Sequence, residues 1–96
     1  MNRSLGIIEV TGIVTATSCI DAMIKSAFVE VYNIDRIGSG LITIMIQGDL
    51  ASVQAALEIG TEEALKHGEL VAVKAIPRPD EGLYPFLAPQ EKGEQS

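Results

Sequence analysis

Apolar and polar positions alternate between two periods along the chain. Leu5-Gly6-Ile7-Ile8-Glu9-Val10 is a short, nearly continuous apolar run closed by Gly12, which reads as a buried strand and a turn. The spacing then lengthens. Ala16, Ile20, Met23, Ile24 and Ala27 recur at helical spacing, with Ser18, Asp21 and Lys25 falling elsewhere. This predicts a helix with Thr17 or Ser18 as its N-cap and Ile24 on its core face. Phe28 to Ile34 and Leu41 to Gln47 are rich in β-branched residues and pair as a hairpin across Ile37-Gly38-Ser39-Gly40. Gly48-Asp49 stops the second of these strands, and Asp49 caps a second helix with the stripe Val53, Ala56, Leu57, Gly60 and Ala64, ended by Gly68. A glycine inside a helix costs about 1 kcal/mol relative to alanine, so Gly60 predicts close packing of that helix on the sheet. Leu70 to Ile76 is the last strand, which Pro77 and Pro79 prevent from continuing.

The resulting order, β-α-β-β-α-β, is that of an α+β, ferredoxin-like fold: an antiparallel sheet with both helices on one face. The other face needs a cover. Asp80 to Pro89, with Leu83, Tyr84, Phe86 and Leu87, predicts a short C-terminal packing element within a single domain of residues 1–89, and 90–96 reads as a polar, disordered tail.

Composition narrows the function. The 96 residues are 47% hydrophobic but only 4% aromatic, so the core is built from Ala, Val, Ile and Leu. Seven basic and thirteen acidic residues leave a net charge of −6 with no Lys/Arg cluster, which argues against nucleic acid or an anionic membrane as partner. Cys19 is the only cysteine, which excludes an internal disulfide, and with one histidine a zinc site lacks ligands. A reducing cytoplasm fits that usage. Glu9 interrupts the first apolar run, which is not the pattern of a signal peptide, and no run approaches the length of a membrane span.

Candidate chemistry is sparse. Gly38-Ser39-Gly40 opens a strand, not a helix, so it is neither a dinucleotide fingerprint nor a P-loop. Cys19 has no evident base, because His67 lies at the end of the other helix. No catalytic residue, cofactor or metal is expected. Asp21 and Lys25 are spaced for an exposed ion pair, and Glu62, Glu63 and Lys66 read as a solvated helix face.

Gly6-Ile7-Ile8-Glu9, Asp21-Ala22-Met23-Ile24-Lys25, Ile37-Gly38-Ser39-Gly40-Leu41, Gly48-Asp49 and Ile76-Pro77-Arg78-Pro79, taken in order, resemble the bacterial microcompartment (BMC) domain from about Leu5 to Pro79. The resemblance implies a non-enzymatic shell protein whose cyclic homo-hexamers tile, with other BMC shell proteins, around encapsulated enzymes in the cytoplasm. It implies that Ile37, Gly38, Ser39 and Gly40 line a sixfold pore for small polar metabolites. It also places Lys25, oriented by Asp21, at the hexamer edge together with Pro77, Arg78 and Pro79. The chain departs from the usual pattern at Asp35-Arg36, Gln47 and Asp80. Leu41, where carboxysome members often carry a basic residue, points toward a catabolic compartment. The competing expectation is a ferredoxin-like regulatory module that clamps a small molecule with the glycine loop inside a trimer.

Overall fold

Strand β1 (Ser4–Thr11) occupies an inner position of a four-stranded sheet in the computed structural model, which describes residues 3–78. The other strands are β2 (Glu30–Ile37), β3 (Leu41–Gly48) and β4 (Leu70–Ile76), in the order β2-β3-β1-β4, and every neighbouring pair is antiparallel. Helices α1 (Ile13–Ser26) and α2 (Leu50–His67) provide the two crossovers. The predicted β-α-β-β-α-β order and ferredoxin-like topology are therefore those of the structure.

Alternation along β1 decides where the core lies. Ser4, Gly6, Ile8 and Val10 are buried and the residues between them only partly so. A side chain at Gly6 would meet Val53 of α2, and one at Gly60 would meet both Ile8 and Met23 of α1, so both helices lie over the same face. There Ile8, Val10, Ile42, Ile44 and Ile46 of the sheet close with Ala16, Cys19, Met23, Val53, Ala56, Leu57 and Ala64. The opposite face carries Ile7, Glu9, Thr43 and Met45, with Thr43 Oγ1 donating to Glu9 Oε2 at 3.4 Å. The expected cover from Asp80 to Pro89, and the polar tail, lie outside the described residues.

Helix α1 departs from its expected start. Gly12, at φ 94°, is the N-cap, and its carbonyl accepts from Ala16 N–H at 3.1 Å, so the first turn forms four to five residues before Thr17 and Ser18. Those two sit inside the helix, where the Thr17 hydroxyl donates back to the Ile13 carbonyl at 2.8 Å. Ile24 is 49% exposed, not on the core face. Each helical residue turns about 100°, so Met23 and Ile24 cannot both face the sheet, and the fully buried Met23 holds that place. Strand β2 also starts later than expected, at Glu30, because its partner β3 runs out at Gly48 and the pairing begins at Glu30↔Gln47. Phe28 is left outside it.

Helix α2 follows its sequence signals. Asp49 Oδ1 accepts from Ser52 N–H at 2.8 Å, a bond that holds the Asp49 carboxyl below its usual range, and Gly68 closes the helix in the left-handed region at φ 70°. None of the described helices is long and apolar enough to cross a membrane.

Gly60 lies where α2 crosses both α1 and β1. A Cβ there would stand 2.8 Å from Met23 Sδ and 3.2 Å from Ile8 Cδ1, so the tightest neighbour is the first helix and not the sheet. Because Met23 and Ile8 are fully buried, neither can retreat into solvent. Gly60→Ala should lower stability by about 1–2 kcal/mol despite better helix propensity. Chemical denaturation checks this: a raised midpoint would refute the packing argument, and Met23→Val in the same chain should recover part of the loss.

Candidate functional site

Ile37↔Leu41 is the last pair of the β2-β3 hairpin, and Gly38, Ser39 and Gly40 form its turn. Ser39 (φ 69°) and Gly40 (φ 80°) both adopt positive φ, and Ser39 is the only such residue other than glycine among the described residues. The Gly40 carbonyl accepts from Gly12 N–H at 2.9 Å, which ties the turn to the start of α1. Gly38 behaves differently. Its φ is not positive, and an added Cβ would meet nothing within 4 Å among the described residues, so neither backbone conformation nor that part of its own subunit requires a glycine there.

The charges flanking the turn are split between the two faces of the sheet. Asp35 pairs with Thr43 on the face away from the helices and accepts from Asn33 Nδ2 at 3.3 Å. Arg36 pairs with Ile42 on the helix side and lines an open cleft with Ile37, Gly38, Gly40, Leu41 and Ile42.

The second group of predicted residues gathers at the other end of the sheet. Lys25 Nζ lies 3.2 Å from Asp21 Oδ2 in the last turns of α1, and both side chains are exposed. Pro77 and Arg78 follow β4 directly, where Ile76 pairs with Leu5 at the start of β1. Pro79 lies outside the described residues. Strands of eight residues separate this end from the glycine turn. At about 3.4 Å per residue that is roughly 25 Å.

One polar link escaped the sequence reading. Glu63, expected on a solvated face, bridges the helices: Ser18 Oγ donates to Glu63 Oε2 at 2.6 Å, and Lys66 Nζ reaches Glu63 Oε1 at 3.4 Å. Ser18 and Glu63 lie 45 positions apart on different helices, so no local spacing announces the contact. His67 Nε2 stands 3.9 Å from the same carboxylate. The carboxylate thus sits between hydroxyl and imidazole, so the serine's partner is a weakly basic carboxylate and not the imidazole. Neighbouring Cys19 donates to the Gly60 carbonyl at 3.4 Å, and burial, then the Glu63 charge, push its pKa up to about 11. It stays a thiol near neutral pH. No group of three or more metal-ligating side chains occurs among the described residues.

The family model of the BMC domain matches residues 4–79. The chain belongs to the BMC domain family. It is 41% identical over 94 residues to the bacterial microcompartment shell protein EutM of Escherichia coli K12, a match covering 98% of this chain and 97% of that one. It is 43% identical to the shell protein PduA of Citrobacter freundii over 85 residues, covering 88% of this chain and 91% of PduA. Among solved structures, a microcompartment protein from Desulfitobacterium hafniense superposes with a TM-score of 0.75 at 26% identity, over 84% of this chain and 44% of that longer one. The BMC fold is thus common to sequence and structure.

The Glu63 link makes a pH prediction. The Ser18 hydrogen bond, ahead of the Lys66 and His67 charges, holds the Glu63 carboxyl below its ordinary value of 4.5. The stabilisation this implies is present above that value and is lost as pH falls through the lower, folded one. Ser18→Ala should therefore lower the melting temperature at pH 7, with the gap to wild type closing as pH drops below 4.5. Equal gaps at pH 7 and pH 3 would show that Glu63 does not carry the effect.

Proposed function

We propose that this chain is a structural, non-enzymatic protein of a bacterial microcompartment shell, acting as a cyclic hexamer with the Ile37–Gly40 turns around its axis and the Lys25 and Arg78 end at its periphery. The family and the shell-protein relatives support the shell role. The observation that carries the ring is the separation of the two groups: one polar turn without bulk at one end of the sheet, one rim with exposed cations at the other.

Gly38 adds to this. Since nothing among the described residues of its own subunit requires a glycine, the missing side chain serves a neighbour outside the chain, as it would where six turns converge on one axis. The sheet flanks also favour a ring. Tyr32 and Ile34 are exposed on edge strand β2, and Val71 and Val73 on the opposite edge strand β4. Two different apolar edges on opposite flanks make a head-to-tail contact, which closes into a ring when the rotation per subunit allows.

In that ring Ser39 presents its hydroxyl to the passage, Arg36 faces the helix-side mouth and Asp35 the opposite mouth. Small polar metabolites are the solutes such a rim passes most readily. Other shell proteins and enclosed enzymes are the partners, in the cytoplasm.

Native mass spectrometry tests the ring. Gly38→Leu should keep the circular dichroism spectrum of the folded subunit while the hexamer is lost; an intact hexamer would remove Gly38 from the axis. Passage is tested by the flux of a small polar solute into reconstituted shells. Ser39→Ala should slow polar solutes relative to apolar ones of equal size, and Ser39→Leu should slow all of them. Unchanged flux in both variants would show that the turn is not the route.

A further inference from the structure

Phe28 is 93% exposed, the most exposed of the large apolar side chains among the described residues. The backbone that carries it is nonetheless held. Ala27 N–H donates to the Met23 carbonyl at 3.2 Å to close α1, and Val29 N–H donates to the Ala27 carbonyl at 3.0 Å. The Phe28 carbonyl packs on Gly48 so closely that a Cβ on that glycine would stand only 2.9 Å from it. The ring is presented outward by a fixed stretch of chain and does no packing against the described residues of its own subunit.

Its position is equally specific. Gly48 pairs with Ser4, and Leu5 pairs with Ile76, so Phe28 lies beside the end of β3 on the same rim of the sheet as Arg78 beyond β4. With β1 between those strands, spacings of about 4.8 Å set their backbones roughly 10–15 Å apart along that rim. Lys25, on the same rim, already has the Asp21 carboxylate at 3.2 Å, whereas Arg78 makes no ion pair among the described residues.

We propose that Phe28 joins this rim to the same rim of a second copy of the chain by stacking on Arg78 of that copy. The inference rests on the peripheral placement of the rim in the proposed hexamer and adds to it the contact that holds two hexamers together. A twofold axis midway between Phe28 and Arg78 brings each ring over the other copy's guanidinium, so one operation makes two identical contacts. The rim is complementary to itself in chemistry: it offers an aromatic face and a cation that has no carboxylate among the described residues, the two halves of a cation–π pair. An isologous contact needs both halves on one surface, which is why a second copy is the occupant.

The test is sheet assembly by purified hexamers, followed by light scattering and electron microscopy, with hexamer mass and melting temperature measured alongside. Phe28→Ala should raise the protein concentration needed for sheets by roughly five- to thirtyfold, the effect of losing two cation–π contacts per twofold. Phe28→Trp should assemble at least as readily as wild type, while Phe28→Leu should behave like Phe28→Ala. In the double variant with Arg78→Ala the two losses should not add. Hexamer mass and melting temperature should not change in Phe28→Ala, because the ring is solvated in the subunit. Assembly of Phe28→Ala at the wild-type concentration, while Lys25→Ala fails to assemble, would overturn the role of Phe28 and keep the edge reading. Unimpaired assembly of Lys25→Ala as well would overturn the edge reading itself. A lowered melting temperature or loss of the hexamer in Phe28→Ala would assign the ring to the subunit and also overturn the proposal.

Discussion

The close crossing at Gly60 is the constraint on which the subunit depends. One face of β1 and β3 must be buried, and two helices share it. They can do so only if α2 approaches α1 and β1 without a side chain between them, and the space that a Cβ would take is filled by Met23 and Ile8. Fixing Met23 at that crossing fixes the rotation of α1. Cys19 is then turned inward against the Gly60 carbonyl, Ser18 toward Glu63, and Ile24, Asp21 and Lys25 outward. A side chain absent from one helix thus decides which surface the other helix shows.

The same helix connects the two ends of the sheet. At its start Gly12 caps it and also donates to the Gly40 carbonyl, so the glycine turn and α1 are positioned together. At its end Lys25 and the short stretch to Phe28 bring charge and an aromatic ring to the opposite rim. In the proposed hexamer the axis and the edge must be held at constant separation. A helix tied at one end to the turn and carrying the rim at the other provides that, because its length is set by backbone hydrogen bonds and not by side-chain packing.

Cys19, Ser18, Glu63 and His67 show how a cluster of reactive residue types can be purely structural. The carboxylate takes the serine proton bond for itself, and burial keeps the thiol protonated. What the arrangement supplies is a polar tie between two helices otherwise joined by apolar contacts, and it places the single cysteine where neither oxidation nor metal binding has ready access.

Elements whose signals are local were legible in the sequence: the four strands, the Asp49 cap, the Gly68 stop, the hairpin at Gly38 to Gly40 and the Asp21–Lys25 pair each rest on residues within a few positions of one another. The motifs carrying the family resemblance were legible for the same reason. The start and rotation of α1 were not. Gly12 caps through its own carbonyl and a positive φ, with no capping side chain to mark it, and the choice of Met23 over Ile24 as the buried residue is made by Gly60, more than thirty positions away. The Ser18–Glu63 bond and the shared rim of Phe28 and Arg78 likewise exist only once the sheet order brings distant segments together. The sequence by itself determined which elements form and where they turn, because propensity and capping act within one or two turns of chain. Which face each element shows to solvent was decided by the tertiary structure alone, because that depends on steric fit between side chains that the chain order keeps apart.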